Sequence, residues 1–111
     1  MESKAERREA SRKFKERKTP RGIFAIRVAG GPVWVELARN LDSAKNMEWF
    51  GLRMGAHRNK ELQAEWNARG EESFEFEVLE VLDDDVLAIG HEDLLKERRA
   101  AWAERLGARK I

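Results

Sequence analysis

The chain has no cysteine and no tyrosine, and only two histidines in 111 residues. Without cysteine there is no disulfide framework, no thiol nucleophile and no thiolate-built zinc site. Without tyrosine no phenol can exchange a proton in any mechanism. His57 and His91 are too few for a histidine-rich metal centre. Long apolar runs are missing as well. The longest stretch free of charge, residues 28–35, contains two glycines and a proline, far short of the roughly 20 residues that cross a bilayer. No membrane partner is therefore expected. The basic N-terminal stretch has no apolar segment behind it, so a secretory leader is not expected either, and the cytoplasm is the expected compartment.

What is present is charge, and its order matters more than its sum. There are 22 Lys and Arg against 21 Asp and Glu, a net +1, with 39% of residues charged and 41% hydrophobic. That apolar share supports one core, which excludes disorder throughout, and the length supports no more than one. Residues 1–21 carry nine basic and four acidic side chains, a net +5, and residues 22–70 a net +2. Residues 71–93 hold ten acids and no Lys or Arg, and residues 94–111 return to +4. Basic blocks of this kind can meet a polyanion although the average field is weak. Opposite blocks can equally attract each other within the domain or across a dimer.

Periodicity divides the chain into a basic N-terminal helix or arm (1–20) and a folded domain (21–108). Residues 2–18 are helix formers with Phe14 as the one large apolar anchor. Ile23–Val28 and Val33–Leu37 flank Ala29-Gly30-Gly31-Pro32 and read as a hairpin. Asn40 and Asp42 start a helix in which Ala44, Met47, Phe50 and Met54 form the expected core stripe, closed by Gly55. A second helix runs from Asn59, with Leu62 and Trp66 a turn apart and Gly70 as an αL terminator. Phe74–Leu82 alternates as a third strand, which Asp83-Asp84-Asp85 ends, and a last helix spans about 92–106. On that helix Arg99 shares a stripe with Leu95, Trp102 and Leu106, an expensive place for an unpaired cation. The fold class predicted is α+β, a small three-stranded antiparallel sheet flanked by helices.

The ordered segments Gly22-Ile23-Phe24, Val33-Trp34-Val35, Gly55-Ala56-His57-Arg58-Asn59-Lys60-Glu61-Leu62-Gln63, Trp66-Asn67-Ala68-Arg69-Gly70 and Phe74-Glu75-Phe76-Glu77-Val78-Leu79-Glu80 resemble the GIY-YIG nuclease superfamily, and most of all its homing-endonuclease branch. The resemblance covers about residues 21–107. It implies a three-stranded sheet with flanking helices and cleavage of phosphodiester bonds with one divalent metal, usually Mg²⁺. Position by position, it implies that Phe24 and Trp34 stand in place of the two tyrosines, Glu36 in place of a glycine and Ala44 in place of the arginine. Lys45 and Arg39 lie near that last position. His57 matches the histidine of the homing branch. Arg99 falls where the metal-holding glutamate belongs, with Glu97 two residues earlier and almost on the opposite side of the helix. A cation has replaced the metal anchor while an acid has appeared across from it, so Glu36 and Arg99 are expected to pair.

Three readings follow. The first is a GIY-YIG domain that has lost cleavage and serves as a nucleic-acid-binding or accessory module without a cofactor. The second is an active DNA endonuclease using Mg²⁺ with Glu97, His57 and either Lys45 or Arg39. The third is a homo-oligomer built on the complementary charge blocks. Phe24, Trp34, His57, Glu97 and Arg99 are the motif positions of the candidate site. Lys13, Arg17, Arg39, Lys45, Arg53, Arg58 and Lys60 are the candidate phosphate contacts, with DNA ahead of RNA as partner. Trp49, Trp66 and Trp102 are expected in the core, and Trp34 partly so. His57 is left between a general base or phosphate contact and a local cap.

Overall fold

Period-two alternation on either side of a glycine turn produces the central hairpin. In a computed structural model of the chain, residues 19–82 and 91–111 are described. The N-terminal arm with Lys13 and Arg17, and Asp83-Asp84-Asp85, lie outside the described residues. β1 (Arg21–Val28) and β2 (Val33–Ala38) pair antiparallel with Phe24 opposite Glu36 and Ile26 opposite Trp34. β3 (Phe74–Leu82) pairs antiparallel with the other side of β1. The sheet has four strands rather than the predicted three, because β4 (Arg109–Lys110) lies parallel to β2, giving the order β3-β1-β2-β4. Two basic residues carry no strand signal of their own. The pairing is held instead by Ile111 N–H donating to Val35 O at 3.2 Å and by Arg109 reaching Glu61 at 2.6 Å.

Asn40 caps α1 (Leu41–Arg53), its side chain accepting from Ser43 N–H at 3.2 Å. Asn59 caps α2 (Lys60–Arg69) in the same way through Leu62 N–H at 2.9 Å. Each cap satisfies a donor that the first turn would leave orphaned. Gly70 ends α2, but at φ 86 and ψ 160 it is extended with positive φ rather than αL, and the chain passes at once into a short 3₁₀ turn at Glu71–Ser73. α3 (His91–Leu106) follows β3. Gly22 is demanded by close approach, since a β-carbon there would lie 1.9 Å from the Glu80 carbonyl oxygen, next to the register shift between β1 and β3.

The two faces of the sheet are covered separately. On one, Phe24, Ile26, Val28 and Trp34 pack with Leu41, Ala44, Trp49 and Leu52 of α1 and Leu62 and Trp66 of α2. Ring contacts tie this layer together, Trp49 to Trp66 at 5.4 Å and Phe24 to Phe76 at 4.9 Å. The alternate residues Ile23, Ala25 and Val35 are also fully buried, as is Leu95 of α3, which packs on β2 and β1. Trp102 is half-buried and donates its indole N–H to Glu80 at 2.9 Å.

One expectation is reversed. Met47, Phe50 and Met54 are 69%, 67% and 66% exposed, while Leu41, Ala44, Glu48, Trp49 and Leu52 form the buried stripe of α1. At about 100° per residue the two sets lie roughly opposite each other. Ala44 lies on the buried side as expected, whereas Met47, Phe50 and Met54 lie on the exposed one. Leu52→Ala should therefore cost about 2–5 kcal/mol in urea denaturation, and Phe50→Ala less than about 0.5 kcal/mol. The reverse ranking would contradict this assignment of faces.

Candidate functional site

β4 pairs with β2 at Trp34 and Val35, and the next residue outward on the same face as Trp34 is Glu36. There α3 brings Arg99, whose Nη1 donates to Glu36 Oε1 at 2.6 Å. The two side chains are 22% and 12% exposed, so the pair is largely removed from water. Glu36 Oε1 also accepts from Leu37 N–H at 2.8 Å, and Arg58 approaches Oε2 at 3.8 Å. Arg99 Nε is buried without a hydrogen-bond partner among the described residues.

Behind this pair sits a second cluster. Glu48, on the buried stripe of α1, accepts from His57 Nε2 and from Arg58 Nη2, the latter at 3.2 Å. His57 Nδ1 accepts from Asn59 N–H at 3.0 Å. A nitrogen that accepts cannot also carry the proton, so the ring hydrogen sits on Nε2 and is donated to Glu48. Gln63 completes the arrangement, accepting from His57 N–H at 3.1 Å and donating to Leu52 O and Asn67 Oδ1, both at 3.0 Å. Burial pushes the Glu48 carboxyl upward, but the His57 hydrogen bond and the Arg58 charge outweigh it and hold the group below the usual carboxylate range.

The sequence-predicted residues divide accordingly. Phe24, 1% exposed, and Trp34, fully buried, belong to the core, and the Trp34 indole donates to Glu61 at 3.2 Å. His57 is buried with both ring nitrogens engaged inside the protein, which leaves it no lone pair for a substrate. Glu97 is exposed on α3, two residues before Arg99 and therefore almost on the opposite side of the helix. Several candidate phosphate contacts are already bonded to acids. Arg39 grips Glu92 at 2.5 and 2.8 Å, and Arg53 grips Glu71 through two bonds of 2.7 Å. Lys45 lies 5.7 Å from the Trp49 ring centre, and Lys60 is exposed. Arg27 to Glu77 and Arg98 to Glu80 add further pairs, so the acidic block meets basic residues within the domain.

Sequence reasoning missed Glu48, Glu61 and Gln63. Glu48 carried the signal that exposed Arg99, a charge on a helical stripe of buried apolar residues, masked because the wrong stripe of α1 was read as core. Leu62, Gln63 and Trp66 share a buried face in the same manner.

The donor set does not suit a divalent cation. Among the described residues no group of three or more His, Asp or Glu side chains could hold a metal ion. Glu36 is neutralised by Arg99 and approached by Arg58. A hard cation would have to displace those arginines.

Two measurements test this network. In a double-mutant cycle, Glu36→Ala and Arg99→Ala should couple by about 1–2 kcal/mol, and additive losses would show that the pair is idle. The depressed Glu48 value gives a pH sign as well: its contribution is present at neutral pH and is lost as pH falls through the folded-state value. Urea midpoints of wild type and Glu48→Gln should differ at pH 7 and converge on acidification. A gap that widens in acid would reverse the assignment.

No protein-family model matches the chain, and no curated protein matches it in sequence. Solved structures do. The catalytic domain of homing endonuclease I-TevI superposes with a TM-score of 0.70 at 26% identity, covering 82% of this chain and 97% of that one. A mutant of the catalytic domain of intron endonuclease I-TevI gives 0.67, also at 26% identity, over 80% and 86% of the two chains. I-TevI is a GIY-YIG nuclease. Gly22-Ile23-Phe24 lies in β1 and Val33-Trp34-Val35 opens β2, with His57 just before the Asn59 cap of α2. The chain is thus a GIY-YIG nuclease-fold protein, similar to the catalytic domain of a homing endonuclease.

Proposed function

We propose that this chain is a cytoplasmic nucleic-acid-binding module, directed to DNA ahead of RNA, on a nuclease fold that no longer cleaves phosphodiesters. The observation that carries this reading is Arg99 bonded to Glu36. Where the family is expected to hold a metal on a carboxylate, this chain has a cation whose charge is satisfied by the protein itself. Cleavage further needs a group to activate water and a group to neutralise the developing charge. Phe24 has no exchangeable proton, Ala44 has no charge, and His57 has no free lone pair. An active site using Glu97 is disfavoured because that carboxylate lies almost opposite Arg99 on α3, and Arg99 is the side chain bonded to Glu36.

Binding is supported by what lines the surface beside the pair. A cleft of about 340 Å³ carries Arg39, Arg58, Lys96 and Arg99 against Glu36 and Glu92. With Glu48, which Arg58 bonds from beside the cleft, four cations face three acids, and the remaining positive charge is of the kind that draws in phosphate. No helix among the described residues is long and apolar enough to cross a membrane.

Incubated with supercoiled plasmid and Mg²⁺ or Mn²⁺, the protein should leave the plasmid intact yet retard it on a low-salt gel, with retardation fading as salt rises. Nicking that disappears in Glu97→Ala or His57→Ala would establish the active endonuclease instead. Failure to retard DNA or RNA at low salt would remove the nucleic-acid assignment, and light scattering would then test the oligomeric reading.

A further inference from the structure

The cationic cleft does not stand alone. Beside it is a second hollow of about 260 Å³, and the two share Leu37, Arg39 and Arg58. The second hollow differs in character. Phe24, Leu37, Ala38, Ala44 and Met47 make the apolar half of its lining, and Arg39, Asn40, Ser43, Arg58 and the buried Glu48 the polar half. Ala44 contributes only a methyl group to this hollow, which lies between β1, β2 and α1. Met47 overhangs it as one end of the exposed Met47, Phe50 and Met54 ridge, which has no role in the core. At 260 Å³ the space falls below the roughly 300–1,000 Å³ of pockets for drug-sized ligands. It suits one flat ring system rather than an extended molecule.

We infer that the two hollows form a receptor for one unpaired nucleotide of a single strand, the base entering the Phe24, Ala44 and Met47 hollow and its phosphate lying in the Arg58, Lys96 and Arg99 cleft. The inference rests on the nucleic-acid reading above and deepens it. A hollow with an apolar side and hydrogen-bonding groups opposite it, joined to a cationic cleft, matches the flat base and the phosphate of a nucleotide better than a bare anion or an apolar peptide. The Arg58 side chain is 60% exposed, and only one of its nitrogens is committed to Glu48 and Glu36, so it keeps N–H groups for an incoming oxygen. Lys96 is exposed at the rim of the same cleft. Arg39 spends its fork on Glu92 and frames the junction between the two hollows. A base stacked in a duplex cannot enter a concave hollow without leaving the stack, so single strands are preferred over duplex. The charges here belong to side chains, so binding requires no divalent metal.

Fluorescence anisotropy with a labelled short oligo(dT) at low salt in EDTA tests the assignment, using Met47→Glu for the apolar hollow and Lys96→Glu for the cationic one. Both residues are exposed, so the variants should keep the wild-type circular dichroism spectrum. Each should weaken binding by about tenfold or more, and duplex of the same length should compete far less well than unlabelled oligo(dT). A folded variant that binds within about twofold of wild type, or duplex that competes equally, would overturn the receptor while leaving general nucleic-acid binding in place. Free dTMP displacing the strand at equal molar concentration would overturn the strand assignment in favour of a free nucleotide. Absence of binding to any nucleic acid would overturn this inference together with the function on which it rests.

Discussion

A guanidinium largely removed from water must find a carboxylate, and in this protein that requirement organises the site. Arg99 lies on the face of α3 turned toward the sheet, and Glu36 is the acid that meets it. The consequences run further than one ion pair. Glu36 also draws Arg58, Arg58 bonds Glu48, and Glu48 accepts from His57, whose other nitrogen is held by the backbone before α2. Acid and base alternate from α3 through β2 to α1 and the entrance of α2. Removing Glu36 would leave Arg99 largely buried and uncompensated, which costs more than the pair itself contributes. The network therefore resists partial change, and a metal ion has no unclaimed carboxylate at its centre.

The sequence made the outline of this fold readable because several local signals agreed. Asn40 and Asn59 as caps, the Gly-Gly turn and the alternation of Phe74–Leu82 all point to elements that form where expected. The Glu36 to Arg99 pair was legible in two steps: a cation on an apolar stripe demands a partner, and the family resemblance implied that Glu36 lies across from it. Other features were not legible. α1 has two apolar stripes on opposite sides, and periodicity alone cannot choose between them. Burial went to the stripe bearing Trp49 and Leu52, where Trp49 packs against Trp66 and Phe76. Taking the other stripe as core hid Glu48, and with it the reason His57 is held inside. β4 was invisible because its two basic residues are placed by Glu61 and by Val35, both distant in sequence.

Charge segregation along the chain likewise has a local resolution. Acids at 71, 77, 80 and 92 are bonded to arginines at 53, 27, 98 and 39. Exposed pairs of this sort contribute little stability each, but they cancel much of the field that the sequence alone suggests. What survives as a cationic focus is the cleft beside Arg99, and it adjoins a hollow lined by Phe24, Ala44 and Met47. It is on this juxtaposition of a cationic cleft and a partly apolar hollow that the proposed binding of a nucleotide rests.

The central proposal is that the Glu36 to Arg99 ion pair occupies the place where the family resemblance leads one to expect a metal. Its most direct test is a Mn²⁺ titration of the ¹⁵N-labelled wild-type protein followed by NMR. Amide signals around Glu36, His57, Glu97 and Arg99 should show no selective paramagnetic broadening at Mn²⁺ levels that leave the remaining spectrum sharp. Selective broadening centred on those residues would mean that a divalent ion still has a seat there, and the account would be wrong at its root.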